Sequence, residues 1–267
     1  MIISYITWAP DPEIFRVGSL AIRWYGVLFA LGFVTGYFII QHFFKKENIP
    51  LKLLDQLTTV MVIATIIGAR LGHCLFYEPA YYLKNPIDIL KIWEGGLASH
   101  GAAIAIIVGI WYFSRRNNIS FWRMIDRIAV VTALAGFFIR MGNLVNSEIF
   151  GKPTDLPWGF IFVHASDVSL STQPRHPSQI YEGLAYLLTF VLLMVIYYRN
   201  NGKPREGLLI SLFMILIFAA RFLIEFLKEP QVNFENQMLL NMGQWLSIPF
   251  IVAGLAGIYL IYRKKAD

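Results

Sequence analysis

The stretch Arg140–Gly151, reading RMGNLVNSEIFG, sets a guanidinium, two carboxamides and a carboxylate at the end of an apolar run. Polar and charged groups of these types at the end of an apolar run are not placed there to suit lipid. An Arg at the centre of a membrane helix costs about 2.5–3.5 kcal/mol even on the most lenient scale, so intramembrane polar groups face a protein-lined or watery cavity. Arg140, Asn143 and Ser147 follow a three-and-four spacing, which places them on one helical face. That face is the first candidate for an active site.

Further polar constellations interrupt the apolar runs. In ARFLIEF, Arg221 and Glu225 share a helix face and can pair; they are either a structural helix pair or a site in which Arg221 meets an anionic headgroup and Glu225 orients it. Arg70, His73 and Tyr77, in GARLGHCLFYEP, form a second stripe with the same two readings. His100, in GGLASHGAA, is either a hydrogen-bonded core histidine or a base able to accept a thiol proton near neutral pH. The segment RHPSQIYEG holds His176 and Glu182 at the start of a helix with Pro177 near its first turn. Tyr25, in RWYGVL, fits an interfacial aromatic anchor.

Other chemistries lose ground. Cys74 is the only cysteine, which excludes an internal disulfide and a cysteine zinc cage; it reads as a buried thiol on an apolar helix. The histidines are scattered without HExxH spacing, so no metal site is expected. A Walker A sequence, a dinucleotide fingerprint and a Gly-x-Ser-x-Gly elbow are all missing. The net charge of +6 comes from short Lys/Arg clusters between apolar runs, a membrane-topology pattern, and nucleic acid is not an expected partner.

The elements that must position these residues are membrane helices. Of the 267 residues, 57% are hydrophobic and 15% charged, and apolar runs of roughly 20 residues recur from end to end. The pattern predicts an all-α integral membrane protein, one polytopic domain over 1–267, with spans at about 20–44, 57–77, 97–114, 125–144, 179–198, 207–227 and 244–262. Positive charge collects after the first, third and fifth spans (Lys45, Lys46, Lys52; Arg115, Arg116, Arg123; Arg199, Lys203, Arg205) and in the tail at Arg263, Lys264 and Lys265. In the other connections the cations are balanced, as Lys152 and Arg175 are by Asp155 and Asp167. This asymmetry predicts an outer N-terminus and a cytoplasmic C-terminus, and brings Tyr25, His73, His100, Arg140, Glu182 and Arg221 to the outer leaflet. The N-terminus lacks a basic n-region and a small-residue cleavage site, so it does not read as a removable signal peptide. Residues 145–178, rich in Pro and aromatics, are expected to form a small head or lid between spans four and five.

The Arg140–Gly151 stretch closely resembles the signature of the prolipoprotein diacylglyceryl transferases, Gly-Arg-x-Gly-Asn-Phe-x-Asn-x-Glu-x-x-Gly. Arg140, Gly142, Asn143, Asn146, Glu148 and Gly151 match; Ile139 stands in place of Gly, and Leu144 in place of Phe. The His100 segment, with Ala102 where another Gly is common, and the RHPSQIYE and ARFLIEFLKEP segments resemble further blocks of the family in order. The resemblance implies a bacterial inner-membrane enzyme that moves the diacylglyceryl group of phosphatidylglycerol to the lipobox cysteine of a prolipoprotein signal peptide, releasing glycerol 1-phosphate, with no cofactor. It implies His100, Arg140, Arg221 and Tyr25 as catalytic residues and Asn143, Asn146, Glu148, Gly151 and Glu225 as lipid-binding residues beside the two arginines. Arg70, His73, His176 and Glu182 are supporting candidates. A competing class, a lipid or anion transporter, suits the intramembrane arginines but not the crowding of polar groups at one leaflet without a visible repeat; a third, a structural lipid-binding module, would need no His and would tolerate loss of either Asn.

Overall fold

The computed structural model describes residues 5–18, 20–165, 171–229 and 238–263; Asp167, Lys264 and Lys265 lie outside them. Each expected span is a helix: α1 (Trp24–Lys46), α2 (Lys52–Phe76), α4 (Ser99–Arg116), α5 (Phe121–Val145), α6 (Ser178–Arg199), α7 (Leu208–Ile224) and α8 (Met242–Arg263), with a short α3 at Pro79–Lys84. Six of them are long and apolar enough to cross a membrane. The helix of the expected third span, α4, is not among the six: Ser99, His100, Arg115 and Arg116 occupy its ends and dilute an apolar middle.

The helices divide between two compact units, Met1–Ile39 with Ile128–Asp267, and Ile40–Arg127. In the second unit α2 and α4 approach backbone to backbone. A Cβ at Gly68 would meet Ala105 and the Gly101 carbonyl, and one at Gly101 would meet Gly72, so this contact exists only because those positions carry no side chain. The end of α1 is tied to α5 within the same unit by Glu47, whose buried carboxylate sits 2.7 Å from Arg127 Nε and 3.0 Å from Arg123 Nε.

The sequence pattern predicted helices alone, but the first unit also contains strands. A hairpin of β2 (Glu13–Val17) and β3 (Leu20–Arg23) leads into α1. Before it, β1 (Ile6–Trp8) pairs in parallel with β4 (Phe160–Phe162), so the connection expected to be a head is sewn to the N-terminal segment. Trp8 donates its indole N–H to the Leu144 carbonyl at 2.8 Å, and Leu144, Phe160 and Phe162 form a small buried cluster. This cluster fixes the loop against the last turn of α5, where the signature residues begin.

Candidate active site

The signature straddles a helix end. α5 stops at Val145; Ser147 and Ile149 then adopt positive φ of 53° and 58°, a left-handed conformation that turns the chain sharply. Ser147 is therefore not on the helical face shared by Arg140 and Asn143, and the expected three-membered stripe is reduced to two. The turn folds Glu148 back toward α5: Asn143 Nδ2 donates to Glu148 Oε1 at 2.8 Å and Asn146 Nδ2 to the same oxygen at 3.3 Å. Asn143 Oδ1 in turn accepts from Arg140 Nη1 at 3.2 Å. The start of α6 closes the turn, with Gln179 donating to the Glu148 carbonyl at 2.7 Å and Ser178 to the Ile149 carbonyl at 2.9 Å.

Gly151 follows in a strand-like stretch between two backbones. Its N–H donates to the His176 carbonyl, the Lys152 N–H donates to the Leu227 carbonyl, and a Cβ at 151 would collide with Leu227 O and His176 Cβ. The matched glycine is thus a packing requirement, the only residue that lets the α5, α6 and α7 ends meet here.

Behind the turn runs a ladder of buried charge. Arg140 Nε is 2.7 Å from Glu182 Oε2, off the N–H axis, and its guanidinium lies 5.9 Å from the Tyr186 ring centroid. Glu182 Oε1 is 3.3 Å from Lys228 Nζ, which is 3.4 Å from Glu225 Oε2. Glu182, Lys228 and Glu225 are 1%, 3% and 5% exposed, so each charge depends on its neighbour for its solvation. The pairing of Glu225 with Arg221 that their spacing suggested does not form. Glu225 is still helical, its N–H bonded to the Arg221 carbonyl, but the 3₁₀ turn over Glu225–Leu227 brings Lys228 back to it and the carboxylate pairs with the lysine instead.

Arg221 is left without an ion pair among the described residues, and its Nε is buried with no hydrogen-bond partner. Asn146 Oδ1, Ser147 Oγ and Gln179 Oε1 share that condition. Buried polar atoms are nearly always satisfied, so the three on Asn146, Ser147 and Gln179 make the end of α5 the candidate place for a polar ligand. A cavity of about 500 Å³ opens on Asn146 and Glu148 and is bounded across from them by Asp11, Pro12, Glu13 and Arg23 of the hairpin segment. Tyr25, half-buried, packs its ring on α5 where Gly142 has no Cβ to obstruct it.

Tyr25, Arg140, Asn143, Asn146, Glu148, Gly151, Glu182, Arg221 and Glu225 all belong to the first unit, and the contacts above join all of them but Arg221, whose side chain is placed by its position one α turn before Glu225. His176 joins them mainly by backbone; its Nδ1 is 3.3 Å from the Tyr181 hydroxyl, and burial lowers its pKa from the usual 6.5. His100, Arg70 and His73 belong to the second unit. His100 is exposed in the first turn of α4. Arg70 holds a loop, donating to the carbonyls of Asp88, Ile89 and Gly95, while His73 stacks on Tyr77 at 5.7 Å. Cys74 is fully buried.

Two members of the site escaped the sequence reading. Lys228 reads as a helix-end cation offset by Glu229, although its position three residues past Glu225 was a usable sign. Gln179, inside the quoted RHPSQIYE stretch, reveals its role only through the backbone carbonyl it reaches.

The assembled site can be set beside known proteins. The family model described as prolipoprotein diacylglyceryl transferase matches residues 12–260. A protein of Tolumonas auensis named phosphatidylglycerol--prolipoprotein diacylglyceryl transferase is 48% identical over 261 residues, covering 97% of this chain and 98% of that one. Proteins of the same name from Porphyromonas gingivalis and Chloroherpeton thalassium are 46% and 43% identical, over 97% and 96% of this chain and 95% and 94% of their own. The full-length match, and the signature's polar residues gathered around one helix end, lead to one assignment: the chain belongs to the prolipoprotein diacylglyceryl transferase family.

Proposed function

We propose that this chain is a phosphatidylglycerol–prolipoprotein diacylglyceryl transferase whose lipid phosphate is held at the α5–α7 end of unit one. In the reaction the lipobox thiolate attacks the glycerol carbon of the diacylglyceryl group. A C–S bond forms as the C–O bond to phosphate breaks, and glycerol 1-phosphate leaves. Negative charge moves from sulfur to the departing phosphate, so the largest gain comes from fixed cations and N–H donors at the phosphate.

The observation that carries this reading is Arg221, a cation whose Nε is buried without a hydrogen-bond partner, four residues before a carboxylate that Lys228 engages. Arg140 is the second phosphate-side cation: Glu182 takes one edge of its guanidinium and Asn143 steadies Nη1. Asn143 and Asn146 orient Glu148, whose cavity suits the polar glycerol headgroup. Tyr25 lies against the same helix, and His100 is assigned as the thiol base on the resemblance of its segment. The active site belongs to the outer leaflet of the bacterial inner membrane, with the N-terminus outside and the C-terminus in the cytoplasm, where both phosphatidylglycerol and an exported signal peptide are available.

Phosphatidylglycerol labelled in its headgroup tests the reading. Purified protein given a lipobox peptide is expected to release water-soluble labelled glycerol phosphate only when the peptide carries its cysteine. Release that ignores the cysteine would indicate a lipid hydrolase, and label moved intact between vesicles would indicate a transporter.

A further inference from the structure

We infer that Lys228 is a positioning residue that keeps Arg221 available to the lipid phosphate by holding the Glu225 carboxylate away from it. The inference rests on the phosphatidylglycerol reading above. Glu225 follows Arg221 at a spacing that, on a continuous helix, lets a guanidinium and a carboxylate meet. In a buried setting such a pair would be strong and would consume the cation.

Two contacts engage the carboxylate elsewhere. Glu225 itself stays α-helical, its N–H donating to the Arg221 carbonyl, but the 3₁₀ turn that follows brings the Lys228 N–H to the Glu225 carbonyl at 3.2 Å and so sets the lysine beside the carboxylate. The carboxylate also lies against Gly243 of α8, where any Cβ would run into it. Lys228 then bridges Glu225 and Glu182 at 3.4 and 3.3 Å.

The ion pairs make the same point. Among the described residues Arg140 and Lys228 pair with Glu182, Lys228 pairs with Glu225, and Arg221 makes no ion pair. Without the Lys228 ammonium Glu225 keeps no ion-pair partner among them. The orphaned Glu225 then draws on Arg221 as the nearest cation on its own chain segment. The lysine acts through Arg221 and does not itself touch the lipid.

The test measures binding of labelled phosphatidylglycerol to the full chain in mixed micelles, for wild type, Lys228→Met, Lys228→Arg, Glu225→Gln and the double variant Lys228→Met/Glu225→Gln. Lys228→Met is expected to weaken binding about tenfold or more, and Lys228→Arg to stay within about threefold of wild type. The double variant is expected to return to within about threefold of Glu225→Gln, because no carboxylate remains to capture Arg221. Loss of binding in Lys228→Met that Glu225→Gln does not relieve would overturn the inference, as would unchanged binding in Lys228→Met. If Lys228→Met does not fold, the double variant, which buries no unpaired charge at either position, decides alone by the same comparison with Glu225→Gln. A wild-type protein that binds the lipid but makes no peptide adduct would reject the function, whereas an active wild type with an indifferent Lys228→Met rejects only the role of Lys228.

Discussion

Arg140 Nε and Glu182 Oε2 stand 2.7 Å apart, so the cation of the signature is joined to the first turns of α6. Glu182 serves two cations at once, since its other oxygen faces Lys228. Glu182→Gln should therefore leave two buried cations short of charge, a loss of about 3–5 kcal/mol by the usual cost of breaking a buried pair. Thermal unfolding in detergent should show a clear fall in Tm together with lost transfer activity. An unchanged Tm would mean that the ladder is looser than its distances indicate.

Asn143 accepts from Arg140 and donates to Glu148, and so links the two charged members of the signature. Hydrogen bonds to charged groups are worth about 1.5–3 kcal/mol, so Asn143→Ala should lower kcat/KM by roughly 10- to 150-fold. Asn143→Asp should be worse, because a carboxylate would then face Glu148. Steady-state transfer with varied phosphatidylglycerol checks both, and an Asp variant better than Ala would refute the donor role.

If His100 takes the thiol proton, His100→Gln should reduce kcat by about 10²–10⁴ and restore activity toward wild type as the pH approaches the peptide thiol's own pKa. A Gln variant with normal turnover at neutral pH would leave thiolate formation to the arginines.

His176 titrates below the usual 6.5 because burial disfavours its imidazolium. The unfolded chain then binds the proton more readily than the folded one. The stability this provides is complete above about pH 6.5 and declines as the pH falls below it, until the folded group also protonates. Melting curves between pH 7.5 and 5.5 should show a larger fall for wild type than for His176→Gln. Equal falls would show that other groups carry the acid sensitivity.

Much of the fold was legible because membrane helices announce themselves by length and composition, and every expected span is a helix. α4 departs from the others because its polar ends fall inside the expected span. The strand pairing of Ile6–Trp8 with Phe160–Phe162 was hidden, since two three-residue strands far apart in sequence have no periodicity to read. Within the site, the residues of Arg140–Gly151 were visible as polar intrusions, but their geometry was not. The positive φ at Ser147 removed that residue from the helical face, a backbone change past which a spacing rule for a continuous helix stops applying. At Glu225 the α register with Arg221 is intact, and the carboxylate pairs instead with Lys228, which the following 3₁₀ turn brings back to it.

The central claim is that the polar end of α5 holds the lipid whose diacylglyceryl group is transferred. Mass spectrometry of a synthetic lipobox peptide, incubated with purified protein and phosphatidylglycerol, tests it most directly against Arg140→Ala and Arg140→Lys. The account predicts a diacylglyceryl adduct on the peptide cysteine with wild type, none with Arg140→Ala in folded protein, and only partial recovery with Arg140→Lys, which lacks the planar fork. A full yield of adduct from Arg140→Ala would contradict it.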